Sequence, residues 1–274
     1  MKVGFWNMRE KPIHHLLPLF MSEQELDILI IIEPPTKWTS ILALLNKDVG
    51  SKYDYATSSS GTEKIQFFTK FPARFLISKQ ESKGGRVSYR ILNLPGHISI
   101  LLVAIHFPSK LHKSEAEQYA YSRSVIKELE RCENDIGHRH TIIVGDFNMN
   151  PFEEGLISAD GFNAVVSKQI ASTVGKIVDG EHYQFFYNPS WSLMGDIDNL
   201  PGTYFYNKGG YLNYYWHTFD QVILRPELIS RFNESSFKIV TSISAISLLD
   251  SNGRPDSDNY SDHLPVVFNF NLKK

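Results

Sequence analysis

No polar residue interrupts Ile142-Ile143-Val144, and with Thr141 ahead the run passes straight into Gly145-Asp146-Phe147-Asn148. A strand with one wet face alternates apolar and polar residues, so an unbroken apolar and β-branched run reads as a strand buried on both sides. Residues 26–32 and 98–105 read the same way. Strands of this kind need cover above and below, which points to an α/β architecture rather than a lone sheet. The break at Gly145 delivers Asp146 and Asn148 beyond a strand end, where a carboxylate and a carboxamide can converge on one small polar target. Taken alone, the same residues suit an ordinary Asx turn equally well.

The remaining elements follow from local signals. Residues 3–6 form a short strand, and residues 12–24 a helix in which Pro18 requires a kink or a late start. A short helix is expected over 39–46. Between 53 and 105 successive strands read as an antiparallel meander bending at Ser58-Ser59-Ser60-Gly61, Gly84-Gly85 and Pro95-Gly96. Ser114, with Glu117 three residues on, opens the longest helix with a capping-box spacing. Its balanced charges suit a solvated face. Strands are expected over 185–189, 203–206 and 219–224. In the last strand Val266, Phe268, Phe270 and Leu272 share one face. Residues 167–218 are the least legible. Their aromatics (Trp191, Tyr204, Tyr206, Tyr211, Tyr214, Tyr215 and Trp216) read as packing before base stacking. His217, close to Asp220 in sequence, reads as a strand-end histidine before an extra site residue. Lys79, Lys83, Arg86 and Arg90 make one basic hairpin, suited to a phosphate backbone or to a charged sheet edge.

Composition enters as a limit. A chain of 274 residues, 42% hydrophobic and 21% charged, suits one domain over 1–274 with no linker. A formal charge of −2 cannot hold a polyanion by its overall field, so any such site must be local. The single cysteine, Cys132, rules out an internal disulfide and suits a reducing compartment. The opening residues are too short an apolar run for a signal peptide, and no stretch has the length of a membrane span, so a cytoplasmic protein is expected.

The polar residues fall at strand ends. Asn7, Glu33, His106 and Asp146 each follow one; Asp220, Asp262 and His263 each stand at the beginning of one. In a mixed sheet the ends of some strands share a rim with the starts of antiparallel neighbours. Two carboxylates about 4 Å apart repel by roughly 4 kcal/mol at an effective dielectric near 20, so four on one rim require protons, histidines or a cation. Oxygen ligands without cysteine favour Mg²⁺ or Mn²⁺ over zinc, leaving part of the ion's shell for water and a substrate phosphate. That is the layout of metal-assisted phosphoester hydrolysis.

The ordered set Asn7, Glu33, His106, Gly145-Asp146-Phe147-Asn148, Asp220 and Ser261-Asp262-His263 resembles the endonuclease/exonuclease/phosphatase superfamily, and within it pancreatic-type deoxyribonuclease I. Asn7-x-Arg9, Val103-Ala104-Ile105-His106 and Glu63-Lys64 extend the likeness. The resemblance implies a four-layer α/β/β/α sandwich of two mixed sheets flanked by helices. It implies a Mg²⁺- or Mn²⁺-dependent phosphodiesterase, an endonuclease or exonuclease whose substrate is DNA. Glu33 would be the main metal ligand, with Asn7 and Asp262 close by. Asp146 would position or deprotonate water, and Asn148 and Arg9 would hold phosphate. Asp220 would orient His263, and Glu63 would do the same for His106. The departures are Ile32, where members commonly carry glutamine, and Gln221, where the pancreatic enzymes carry arginine. Two other readings stand beside the nuclease: a hydrolase of a small phosphoester such as an inositol phosphate, nucleotide or lipid headgroup, and a non-catalytic binding subunit.

Overall fold

The apolar runs become the central strands of two mixed sheets. The computed structural model describes residues 1–48, 50, 52–59, 61, 63–82, 84–173, 175–197 and 200–273. In the first sheet β1 (Lys2–Asn7) lies parallel to β2 (Ile28–Ile32), with β4 (Ile65–Thr69) and then β3 (Asp54–Tyr55) beyond it. On the other side of β1 come the antiparallel strands Val266–Phe270 and Phe232–Ile239. The second sheet runs β5 (Leu76–Glu81), β6 (Val87–Leu92), β7 (Ile100–His106), β8 (Thr141–Asp146), then Asp220–Leu224, Phe186–Tyr187 and Ala164–Val165.

Both faces of the second sheet's centre are covered, which explains why β7 and β8 show no alternation. Leu102, Ala104, Ile142, Val144, Val222 and Leu224 join the core that the first sheet also enters. Their neighbours Leu101, Val103, Ile105, Ile143 and Ile223 join Val125, Ile126, Leu129 and Cys132 of α3 (Glu115–Ile136) in a second core. Helices α1 (Leu17–Glu23) and α2 (Trp38–Leu45) bring Leu17, Phe20, Met21, Ile41 and Leu45 to the first sheet's core. The result is the expected α/β/β/α order.

Helix α3 has both ends fixed by its own sequence. The Ser114 hydroxyl accepts from the Glu117 amide at 3.3 Å, and the Glu117 carboxylate accepts from the Ser114 amide at 3.0 Å. Gly137 closes it in the left-handed region at φ 75°. Near that end Glu133 is fully engaged: Arg225 donates from both Nε and Nη2 at 2.9 Å, and Thr141 Oγ1 donates at 2.6 Å. Thr141 begins β8 and Arg225 follows the antiparallel Asp220–Leu224 strand. This buried fork therefore supports the register that places Asp220 opposite Asp146 at the other end.

Several expectations change. The strands between 53 and 105 are not one meander, because β3 and β4 join the first sheet and β5 to β7 the second. Turn residues mark a bend but carry no information about which sheet receives the next strand. Pro18 falls in the first turn of α1, so the helix starts late and does not kink. Phe232–Ile239 is an edge strand whose register shifts between Asn233 and Lys238, an irregularity that hides its period. Val267, which the alternation of the last strand puts on the opposite face from Val266 and Phe268, is buried as they are. Arg90 is no surface cation. It is fully buried over the Phe67 ring at 4.6 Å and paired with Glu81 at 3.1 Å. Lys79 pairs with Asp135. Ser60 of the first expected bend and Lys83 of the basic hairpin lie outside the described residues. Among the described residues no helix is long and apolar enough to cross a membrane.

Candidate active site

The two sheets put their polar strand ends at one rim. Asn7, His106 and Asp146 are the last residues of β1, β7 and β8, Glu33 follows β2, and Asp220 opens the strand antiparallel to β8. Ser261 ties the final segment to this rim: its hydroxyl donates to the Asn7 carbonyl at 2.6 Å and accepts from the His263 amide at 3.1 Å. The Trp6 indole donates to the His263 carbonyl at 3.0 Å. Asn7, Arg9, Glu33, His106, Asp146, Asn148, Asp262 and His263 line one cavity of about 460 Å³.

Gly145 is required by the strand packing. A Cβ there would lie 2.1 Å from the Ile105 carbonyl oxygen of β7, so any side chain would push apart the two strands that carry His106 and Asp146. Backbone strain also collects here. Arg9, Glu33 and Asn148 all hold positive φ, at 47°, 45° and 49°. Each costs of order 1–3 kcal/mol and persists because surrounding bonds hold it. The Met8 amide donates to the Ile32 carbonyl and the Glu10 amide to the Glu33 carbonyl, locking these turns together.

His263 is held by charge. Its Nδ1 lies 2.8 Å from Asp220 Oδ2, and its Nε2 lies 4.0 Å from Asp146 Oδ2. Burial alone lowers the imidazole pKa, but Asp220, Asp146 and Asp262 outweigh it and push the value up to about 10. The ring is therefore an imidazolium at neutral pH, with Nδ1–H donated to Asp220 and Nε2–H turned towards Asp146. Burial pushes the Asp146 carboxyl above its usual range, and the imidazolium opposes that push. Asp146 accepts from the Asn148 amide at 2.8 Å, Asn148 Nδ2 at 3.0 Å and Asn7 Nδ2 at 3.2 Å.

Glu33 Oε1 stands 3.2 Å from His106 Nε2, and this hydrogen bond holds its carboxyl below the usual range, so Glu33 is ionised. Arg9 Nη1 pairs with Asp262 Oδ2 at 2.5 Å. Asp262 Oδ1 and Asp220 Oδ1 are buried with no hydrogen-bond partner among the described residues. An ionised Glu33, an unpartnered Asp262 oxygen and no sulfur donor fit a hard divalent cation. Asp146, Asp220 and His263 also bring ligand atoms within 4.8 Å of one another, but their nearest contact is the His263–Asp220 hydrogen bond already described.

Three sequence expectations need revision. Glu63 is exposed and outside the cavity; the carboxylate at His106 is Glu33. Both amide hydrogens of Asn148 are used, on Asp146 Oδ2 and the Phe107 carbonyl, so Asn148 fixes Asp146 and has no spare donor for phosphate in this arrangement. The Asn7 side-chain oxygen Oδ1 accepts from the Arg9 amide at 3.0 Å, which lessens its availability to a cation. One cavity wall consists of residues that the sequence ranked as packing or did not single out: Tyr204, Tyr206, His217 and Phe219 line it together with the 109–112 loop. These residues come from short strands and loops whose local pattern carries no period. Of the other aromatics, Trp216 packs edge-on against Phe205, and Tyr214 packs against Phe152. Gln221 spans two loops, donating to the Met149 carbonyl and accepting from Asn188.

The sequence matches the profile of the Endonuclease/Exonuclease/phosphatase family over residues 4–263. Among curated proteins none matches it. Solved structures share its fold at low identity. Truncated Caenorhabditis elegans TDP2 is 14% identical with a TM-score of 0.53, covering 98% of this chain and 96% of that one. An endonuclease/exonuclease/phosphatase family protein from Leptotrichia buccalis is 13% identical with a TM-score of 0.56, covering 99% and 100%. D. rerio TDP2 complexed with single strand DNA product is 13% identical with a TM-score of 0.57, covering 99% of each.

Proposed function

This chain belongs to the endonuclease/exonuclease/phosphatase family, and on that premise we propose that it is a Mg²⁺- or Mn²⁺-dependent phosphodiesterase that hydrolyses DNA in a reducing, cytoplasmic compartment. The observation that carries the reading is the His263 imidazolium, clamped to Asp220 at 2.8 Å with its Nε2 facing Asp146 across 4.0 Å. A phosphate oxygen entering beside Nε2 meets a preorganised cation, which stabilises the charge that develops on phosphorus oxygens. Asp146, fixed by Asn7 and Asn148, positions the attacking water and draws its proton. Arg9 offers a forked donor to the same phosphate once Asp262 is engaged elsewhere. Glu33 and Asp262, with Asn7 close by, would hold the divalent ion, which supplies electrophilic stabilisation of the phosphate. Hydrolysis would leave a 3′-hydroxyl and a 5′-phosphate. A solved relative with a single strand DNA product supports a nucleic-acid substrate.

A hydrolase of a small phosphoester is the second reading. It is favoured by the cavity's aromatic wall and by Arg86 and Arg90 lying outside the cavity. Purified protein incubated with plasmid, single-stranded oligonucleotide and an inositol phosphate, each with Mg²⁺ or Mn²⁺, separates the two. Oligonucleotide or plasmid cleavage abolished by EDTA is expected. Turnover of the small phosphoester alone overturns the DNA assignment.

A further inference from the structure

His217 is held in a way that its packing does not require. Asn150 Oδ1 accepts from the Thr218 amide at 3.0 Å, which fixes the orientation of that carboxamide. Its Nδ2 then points to Glu153 Oε1 and to His217 Nδ1, each at 3.0 Å. Because Nδ2 can only donate, His217 Nδ1 is an acceptor and the ring carries its proton on Nε2. The imidazole is braced by Phe219 at 4.7 Å and by Tyr214 edge-on at 6.2 Å. It lines the cavity, and Nε2 has no hydrogen-bond partner among the described residues. Burial and the Lys110 ammonium push its pKa down to about 4, so the neutral tautomer persists at physiological pH.

The position of this donor matters. The Tyr204 ring packs against both histidines, its centroid 4.8 Å from that of His263 and 6.1 Å from that of His217. His217 therefore faces a part of the cavity one ring removed from the reacting phosphate. Lys110 lines the same wall, salt-bridged to Glu153, the carboxylate that also receives Asn150. Ser109 is there too; its Oγ accepts from the Leu111 amide at 3.2 Å and keeps its own hydrogen free to donate. The wall presents donors and little net charge, since Glu153 offsets Lys110.

We propose that this wall is a second phosphate subsite, in which His217 Nε2–H, with Lys110 beside it, binds a non-scissile phosphate one link along a nucleic-acid strand. The inference rests on the phosphodiesterase reading and narrows it to substrates with a second phosphate. A neutral N–H fixed in one orientation by Asn150 adds direction to a site where the Lys110 ammonium is already paired with Glu153.

Two variants separate hydrogen bonding from packing: His217→Phe keeps a ring and loses the N–H, whereas His217→Gln keeps an amide N–H. The first readout is ¹⁵N NMR of the histidine rings, with Nε2 protonated and Nδ1 bare from pH 8 to pH 5 expected for His217. Titration near pH 6.5, or a proton on Nδ1, overturns the proposal. The second is binding of a five-nucleotide single strand in Ca²⁺ without turnover, beside the same strand carrying a neutral methylphosphonate at the flanking linkage. His217→Phe should weaken the natural strand roughly tenfold and leave the neutral-linkage strand within threefold. His217→Gln should stay within threefold of wild type on both. Equal losses on both strands would make the residue a packing element, and unchanged binding, or none by wild type, would remove the strand subsite. A nucleoside 3′,5′-bisphosphate that alone shows the His217→Phe loss would reassign the second phosphate to a small ligand. Absence of hydrolysis with any metal would sink the phosphodiesterase reading and leave both of these readouts to judge His217.

Discussion

At the scale of single residues, charge placement decides the chemistry. Asp220 and His263 share a 2.8 Å hydrogen bond in a fully buried setting, so they act as one unit. Asp220→Asn is nearly isosteric and should leave the fold intact. It removes the largest charge that sustains the imidazolium, and kcat should fall by roughly 10³-fold or more. His263→Ala should be at least as damaging, and the double variant little worse than His263→Ala alone. Steady-state kinetics on all three, with circular dichroism to confirm folding, checks this; additive losses would separate the pair. At Glu33 the expected outcome is different. Glu33→Gln should weaken Mn²⁺ binding measured by calorimetry by about tenfold or more, since a neutral amide replaces an ionised ligand.

At the scale of elements, the site depends on how strands end. Gly145→Ala forces a Cβ against the Ile105 carbonyl, where the relief needed would part β7 from β8. A loss of about 3 kcal/mol or more in denaturant unfolding is expected, with activity falling alongside. Ser114→Ala is the contrasting case. It removes the reciprocal cap of α3 at an exposed helix end, so stability should drop by about 1 kcal/mol with kcat/KM unchanged. The cap was readable because its partners lie three residues apart. The Glu133–Arg225 fork was not, because its partners are 92 residues apart and neither residue type signals burial by itself.

For the whole molecule, net charge and pH response follow from the same distribution. Arg9 and Lys110 are the cationic side chains of fixed charge that line the cavity, each already paired with a carboxylate. Strand binding should then fall with salt at a slope of about −1 to −2 on logarithmic axes, near −0.7 per phosphate contacted. A slope of −5 would require a basic surface elsewhere. The depressed His217 pKa gives a signed pH effect. The unfolded chain takes up this proton near pH 6.5 and the folded chain only near pH 4, so the contribution is present above pH 6.5 and lost as pH falls towards 4. Denaturant unfolding of wild type and His217→Phe across that window should show the wild type losing more stability. One cooperative transition is expected, because the inter-sheet core draws from both sheets.

The sequence by itself determined which strands are buried, where α3 begins, and that carboxylates, histidines and Asn7 stand at strand ends. Those features are local: an apolar run, a three-residue cap, or a polar residue after a strand reads the same wherever the strand goes. Only the tertiary structure decided which sheet each strand joins, that Glu33 and not Glu63 meets His106, and that Arg90 is buried over Phe67. It also decided that Tyr204, His217 and Phe219 form a wall facing His263. The physical reason is that these contacts join residues far apart in the chain through short strands and loops, where neither period nor propensity constrains the path. Their positions follow from packing two sheets against each other, and no single segment encodes that.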